Sequence, residues 1–96
     1  MIDLTLGEIA EIVGGHLVGG DPSTAVTGTV EFDSRRIGEG GLFLALPGER
    51  VDGHDYVAGV LRDGAAAALV AREVDGADGA QIVVPRIERR ETNAMA

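Results

Sequence analysis

Two short apolar runs flank a segment with helical periodicity in the middle of the chain, and this order constrains the fold more than any other feature. Leu42 to Leu46 is a continuous run of strand length, which indicates a strand covered on both faces. Val57, Val60 and Leu61 then share one helical face, and Ala65 to Ala71 reads as a second buried strand. Because a strand, helix, strand connection joins parallel strands, the sequence predicts an α/β fold. We expect a small single domain with a mixed sheet of about four to five strands and two main helices.

The first of these helices is predicted near the start of the chain. Thr5 and Glu8 have the spacing of a capping box, so the helix begins at this point. Its apolar residues recur at intervals of three and four and form one face: Leu6, Ile9, Ala10 and Val13. Gly14 and Gly15 offer the left-handed conformation that ends a helix.

Three further segments have the patterns of strands. His16 to Val18 is a short run that ends in a cluster of turn residues, and Gln81 to Val84 is a last short run before Pro85. Residues 26–32 alternate apolar and polar side chains, the pattern of a strand with one face buried. This strand should run into Asp33.

The chain length bounds the number of domains. With 96 residues, one hydrophobic core is expected. We assign residues 1–85 to this domain. Residues 86–96 alternate charges without an apolar face, which predicts a linker, a frayed tail or a remnant of expression.

The charge and composition exclude several classes of protein. A net charge of −8 argues against binding nucleic acid or an anionic membrane, since both require basic patches. The chain has no cysteine, which excludes disulfides and thiolate metal sites. It has no apolar stretch of about 20 residues and no basic, apolar start, so we expect a cytoplasmic protein.

The residue inventory also argues against catalysis by this chain. All eight basic residues are arginine, and a phosphate-binding P-loop requires lysine. His16 and His54 lie on different predicted elements, without an arrangement of serine and carboxylate around either. We therefore assign no catalytic residue and no metal ligand.

A first candidate binding segment lies at residues 32–36, where the predicted strand ends. Open α/β sheets place ligand crevices at such ends. Ser34 can both donate and accept a hydrogen bond, which suits the imide edge of a pyrimidine. The alternative is an ordinary turn, in which Asp33 or Ser34 bonds its own backbone and Arg35 pairs with a surface acid.

A second candidate segment, residues 46–56, joins a predicted strand to the second helix. Gly48 and Gly53 allow a ligand to approach the main chain closely, and Arg50 can supply a guanidinium to a diphosphate at the helix start. The alternative is a plain connection in which Asp52 caps the helix and His54 lies in the first turn. A metal site in this segment is disfavoured, because adjacent ligands at a helix start point in different directions.

The segments EFDSRRIGEGGLFLAL, PGERVDGHDY and DGAAAALV, in this order and spacing, resemble the N-terminal domain of the Mur ligases. The resemblance covers Leu4 to about Pro85. The opening LTLGEIAEIVGGHLVG is most similar to the MurF branch, which joins D-alanyl-D-alanine to a UDP-N-acetylmuramoyl-tripeptide, rather than to the MurE branch.

The resemblance implies a substrate-binding domain of an ATP-dependent amide ligase of peptidoglycan synthesis. In this family the first domain binds the UDP part of the substrate, while ATP and magnesium bind in the other domains of the ligase, which are the expected partners. This chain alone should therefore hold no cofactor and be inactive. The positions that match the family's UDP contacts are Phe32, Ser34, Arg35, Glu49, Arg50 and Val51.

Two other interpretations are consistent with the same residues. One is a freestanding interaction domain of this fold without a ligand, and the other is the corresponding domain of a MurE-type ligase. A hydrolase using Asp52, His54 and Asp55 is a further, disfavoured reading.

Overall fold

The computed structural model describes residues 4–46 and 52–84. Its two helices and five strands confirm the predicted α/β class with a mixed sheet. In chain order the elements are α1 (Leu6–Val13), β1 (His16–Val18), β2 (Val30–Glu31), β3 (Leu42–Leu44), a 3₁₀ turn (Gly53–Tyr56), α2 (Val57–Arg62), β4 (Ala67–Val70) and β5 (Gln81–Val83). The tail predicted at 86–96 and its boundary at residue 85 lie outside the described residues.

The five strands form one sheet in the order β1-β5-β4-β3-β2. β2, β3, β4 and β5 are parallel to one another, and β1 pairs antiparallel with β5 at one edge. The parallel pair predicted from the strand, helix, strand order is therefore present, with Phe43 opposite Ala68. Because β2 and β3 are parallel neighbours, the segments that follow them leave the sheet at the same side.

The interior consists of two apolar clusters, one on each face of the sheet. Neighbouring residues of a strand point to opposite faces, and the three inner strands divide their side chains accordingly. The cluster on the side of α1 contains Leu42, Ala67 and Ile82, and the cluster on the side of α2 contains Phe43, Ala68 and Val83. The continuous apolar runs of the sequence thus correspond to strands covered on both faces.

Both ends of α1 agree with the prediction. The Thr5 hydroxyl accepts a hydrogen bond from the Glu8 amide at 3.2 Å, and a Glu8 carboxylate oxygen accepts one from the Thr5 amide at 2.8 Å. Gly14 caps the other end in the left-handed conformation. Neither helix within residues 4–46 and 52–84 has the length and hydropathy needed to span a membrane.

The strand predicted over residues 26–32 is wrong in length and, at Val30 and Phe32, in burial, although Val26 is buried as expected. Only Val30–Glu31 forms β2, because the amides of Thr27 and Gly28 both bond to the carbonyl of Gly40 instead of joining a ladder. Since β2 is also an edge strand, its residue Val30 and the following Phe32 lie outside the two clusters. Val30 is 42% exposed and Phe32 is 68% exposed.

Candidate binding cavity

An open cavity of about 540 Å³ lies where β2 and β3 end. This volume is within the range of about 300–1,000 Å³ that is usual for small-molecule sites. Seven of the described residues line it: Phe32, Asp33, Ser34, Arg35, Leu46, Gly53 and Tyr56. The cavity thus brings the segment after β2 together with both flanks of the second segment singled out in the sequence.

The wall after β2 is a tight turn built by Asp33. Its carboxylate accepts a hydrogen bond from the Arg35 amide at 2.9 Å, and its carbonyl accepts one from the Arg36 amide at 2.9 Å. This arrangement is an Asx turn, in which a side chain replaces a backbone acceptor. The turn directs Phe32, Ser34 and Arg35 to the cavity.

Arg35 and Asp33 form a bidentate pair at the rim of the cavity. The Nε of Arg35 lies 3.1 Å from one carboxylate oxygen of Asp33, and a terminal guanidinium nitrogen lies 3.0 Å from the other. The hydrogen bonds from this guanidinium, followed by that from the Arg35 amide, lower the pKa of Asp33 to about 2. Because the Arg35 side chain is 87% exposed, the pair contributes little to stability. The turn and the surface pair named as the local alternative are thus both present, and a substrate contact by Arg35 stays a prediction.

The opposite wall is closed by a contact between the two ends of the loop after β3. The Gly53 amide donates a hydrogen bond to the Leu46 carbonyl at 2.9 Å. A Cβ on Gly53 would lie 2.7 Å from the Leu46 nitrogen, so only glycine fits this crossing. The predicted contacts Glu49, Arg50 and Val51 belong to this loop but lie outside the described residues.

The cavity also gathers exposed apolar surface. Among the described residues, five large hydrophobic side chains are exposed, and three of them line the cavity: Phe32, Leu46 and Tyr56. A cluster of exposed apolar side chains at a concave site is typical of ligand binding. Leu46 and Tyr56 bound the second candidate segment of the sequence, but the sequence does not assign either as a substrate contact. Leu46 also belongs to the predicted buried strand, and Tyr56 precedes α2 outside its predicted apolar face.

A buried histidine lies directly behind this wall. His54 is 3% exposed, its Nδ1 lies 2.7 Å from an Asp52 carboxylate oxygen, and its Nε2 accepts a hydrogen bond from the Ala71 amide at 2.9 Å. Asp52, predicted to cap the second helix, instead caps the 3₁₀ turn before it by accepting a hydrogen bond from the His54 amide at 2.9 Å, and the N-cap of α2 is Tyr56. The hydrogen bonds from the amide and the ring of His54 are the main reasons why the pKa of Asp52 is lowered to about 2.

These contacts define what the arrangement can do chemically. Both ring nitrogens of His54 are engaged within the protein, and His16 lies in β1, on the opposite edge of the sheet. Within the described ranges, no three acidic or imidazole side chains gather as metal ligands would. The cavity offers a hydroxyl, a paired guanidinium and apolar walls, which are groups for binding.

The chain matches a family model and several curated proteins. The model is that of the Mur ligase family, catalytic domain, and it matches residues 27–95. A UDP-N-acetylmuramoyl-tripeptide--D-alanyl-D-alanine ligase from Mycobacterium bovis is 60% identical over 78 residues, which cover 77% of this chain and 15% of that protein. A UDP-N-acetylmuramoyl-L-alanyl-D-glutamate--2,6-diaminopimelate ligase from Bacillus licheniformis is 43% identical over 61 residues, which cover 64% of this chain and 12% of that protein. The chain thus spans about 15% of the length of the first of these relatives.

A solved structure gives the same result for the fold. A crystal structure of MurF from Acinetobacter baumannii superposes with a TM-score of 0.73 at 34% sequence identity. The match covers 88% of this chain and 18% of that structure. The small α/β domain described above is therefore similar to one part of a much larger protein.

Proposed function

The chain belongs to the Mur ligase family, and we propose that its cavity binds the uridine diphosphate end of a UDP-N-acetylmuramoyl-peptide. The observation that carries this proposal is the meeting of residues 32–35 with Leu46, Gly53 and Tyr56 around one cavity. The higher identity to a D-alanyl-D-alanine ligase favours the tripeptide form of the substrate. The cytoplasm is the compartment proposed for this function.

The uracil ring is proposed to occupy the part of the cavity between Ser34 and the exposed apolar side chains. A pyrimidine presents carbonyl acceptors and an imide donor along one edge, and a hydroxyl group can serve both. Its flat faces are apolar enough to pack against Phe32 and Tyr56, as bases do on aromatic side chains. Ser34 is therefore proposed to form hydrogen bonds with the base, and Phe32 is proposed to stack on it.

The diphosphate needs local positive charge or amide donors, since the whole chain carries a net charge of −8. Arg35 stands at the rim but is paired with Asp33, so its guanidinium must be shared with a phosphate or released from the carboxylate. Glu49, Arg50 and Val51 are proposed to contribute mainly backbone amides, with the Arg50 guanidinium as a second cation. These three residues connect the two flanks that line the cavity.

ATP and magnesium are proposed to bind outside this chain. The sequence has no lysine for the phosphates of a nucleoside triphosphate, and no metal-binding group of three acidic or imidazole side chains forms within 4–46 and 52–84. We propose that ligation requires further domains of a longer ligase, which are the partners of this one. An assay for ATP-dependent amide formation should find no product with the 96-residue chain alone.

A titration with UDP, followed by amide signals in NMR spectra, tests the proposal. UDP should shift the amides of Ser34, Gly53 and Tyr56 together with those of residues 49–51, and ADP is the matched control because it has the same diphosphate on a purine. Ser34→Ala should weaken UDP binding by about threefold to tenfold, the effect of one lost hydrogen bond. The proposal fails if UDP leaves these amides unchanged, or if ADP shifts them equally.

The similarity to diaminopimelate-adding ligases supports a second candidate, a MurE-type domain. Its match, 43% over 61 residues, is shorter and less identical than the 60% over 78 residues of the first D-alanyl-D-alanine ligase named, so the first interpretation is preferred. Both relatives carry UDP-N-acetylmuramoyl in their names, and the UDP cavity is proposed for either branch. A freestanding domain without a ligand is the remaining alternative, and the UDP titration separates it from both.

A further inference from the structure

The buried imidazole of His54 is the one ionisable ring among the described residues that is enclosed by the core, and the binding cavity does not contain it. It nevertheless lies between two residues that line the cavity, Gly53 and Tyr56. The ring can therefore affect the cavity only through the residues that it contacts. Both of its nitrogens contact a partner, and the two partners belong to different parts of the fold.

The hydrogen bonds fix the tautomer of this ring. The Ala71 amide can only donate, so the Nε2 that it contacts at 2.9 Å must be the unprotonated acceptor. The proton of the neutral ring is then on Nδ1, from which it is donated to Asp52 at 2.7 Å. Protonation of Nε2 would turn two donors toward each other, so the observed contact requires the neutral ring.

The two bonds connect the cavity wall to the centre of the sheet. Ala71 follows β4 directly, and β4 is the central strand in the order of five. On the other side, Asp52 and His54 flank Gly53, whose amide closes the loop onto Leu46. The Arg72 guanidinium donates a hydrogen bond to the second carboxylate oxygen of Asp52 at 3.2 Å. This is a second contact, at the surface, between the segment after β4 and the start of the 3₁₀ turn.

We infer that His54 is a positioning residue for the nucleotide cavity, whose bond to the Ala71 amide holds Gly53 and Tyr56 against the turn after β2. This inference rests on the proposed function, because it gives the ring a role in binding UDP. A ligand binds more tightly to a wall that is already in place, since less conformational freedom is lost on binding. Without the bond, the exposed contact from Arg72 to Asp52 would remain as a hydrogen bond between the 3₁₀ turn and the segment after β4.

Two substitutions of similar size separate the long-range bond from the local one. In His54→Gln the amide oxygen can still reach the Ala71 amide, whereas in His54→Asn the shorter side chain reaches Asp52 alone. The expected result is that Gln preserves UDP binding to within about threefold while Asn weakens it about tenfold, as expected for one lost hydrogen bond. Rescue by Gln but not by Asn is a pattern that loss of the ring's packing alone would not produce.

The outcomes distinguish the inference from the proposed function. If both variants bind UDP as tightly as the unaltered chain does, the positioning role of His54 is wrong and the proposed function is unaffected. If the unaltered chain does not bind UDP, the proposed function fails and the inference falls with it. If both variants are weakened equally, the bond to Ala71 is not the operative contact and the inference is also wrong.

A measurement on the unaltered chain covers the case in which His54→Asn does not fold. Long-range proton–nitrogen NMR spectra of the imidazole should show a proton on Nδ1 and none on Nε2. Adding UDP should then shift the Nε2 signal and the Ala71 amide together with the cavity amides. Cavity amides that shift while the ring and Ala71 stay still would contradict the inference.

Discussion

Phe32 and Phe43, the two phenylalanines of the chain, are used in opposite ways. Phe43 is fully buried in the cluster on the side of α2, while Phe32 is 68% exposed at the cavity. A core aromatic contributes to folding through the area that it removes from water. An exposed one contributes little until a ligand covers it.

This difference predicts opposite effects of the same substitution. Phe32→Ala should change the free energy of unfolding by no more than about 0.5 kcal/mol and weaken UDP binding about tenfold, the scale of one base stacked on an aromatic ring. Phe43→Ala should destabilise the fold by about 3–5 kcal/mol. Urea unfolding of Phe32→Ala measures the change in stability, and UDP titration measures the change in affinity. A large loss of stability would show that the Phe32 ring is packed against the fold in solution.

The carboxylate of Asp52 predicts a dependence of stability on pH. Its pKa is lowered to about 2 in the folded chain from an ordinary value of 3.8. A group with a depressed folded pKa contributes fully above the unfolded value and loses that contribution as pH falls through the folded value. Asp52 should therefore stabilise the chain above about pH 4 and cease to do so near pH 2.

Asp52→Asn isolates this contribution from those of other acids such as Asp33, whose pKa is also lowered to about 2. Asparagine still caps a helical turn, so the main loss is that of the charge facing His54 and Arg72. The difference in unfolding free energy between the two proteins should be largest at neutral pH and shrink between pH 4 and pH 2. A difference that is constant over this range would contradict the assignment.

At the scale of the elements, the sequence predicted those whose signals are local. The capping box of Thr5 and Glu8 and the glycine stop lie within α1 itself, so α1 required no knowledge of its neighbours. The strands on either side of α2 were predicted because their apolar runs are buried on both faces. The prediction of a strand over residues 26–32 was wrong because the amides of Thr27 and Gly28 donate to the Gly40 carbonyl. The alternation of side chains carries no information about this backbone contact.

Gly28 predicts how strongly this backbone contact determines the approach to β2. A Cβ at this position would lie 2.8 Å from the Gly41 nitrogen and 2.9 Å from the Glu39 carbonyl oxygen, both of them backbone atoms that cannot move easily. Gly28→Ala should therefore destabilise the chain by about 1–3 kcal/mol. Gly38→Ala, where nothing lies within 4 Å of the added carbon, is the matched control and should be neutral or slightly stabilising. Equal thermal stabilities of the two variants would show that the close approach is relaxed in solution.

At the scale of the whole molecule, the cavity follows from the order of the strands. β2 and β3 are parallel neighbours, so the turn after one and the loop after the other meet at one edge although about ten residues separate them. The sequence indicated both segments from their position and residue types. It did not indicate the exposure of Leu46 and Tyr56 or the engagement of both His54 nitrogens, because each depends on residues distant in the chain.

The cavity at the ends of β2 and β3 is proposed to hold the uridine nucleotide. The most direct test is the measurement of nuclear Overhauser effects between the uracil C5 and C6 protons of bound UDP and the side chains of the isotopically labelled chain. We expect contacts from these protons to Phe32, Leu46 and Tyr56. Contacts instead to the groove on the α1 side, lined by Thr5 and Pro22 among others, would contradict it.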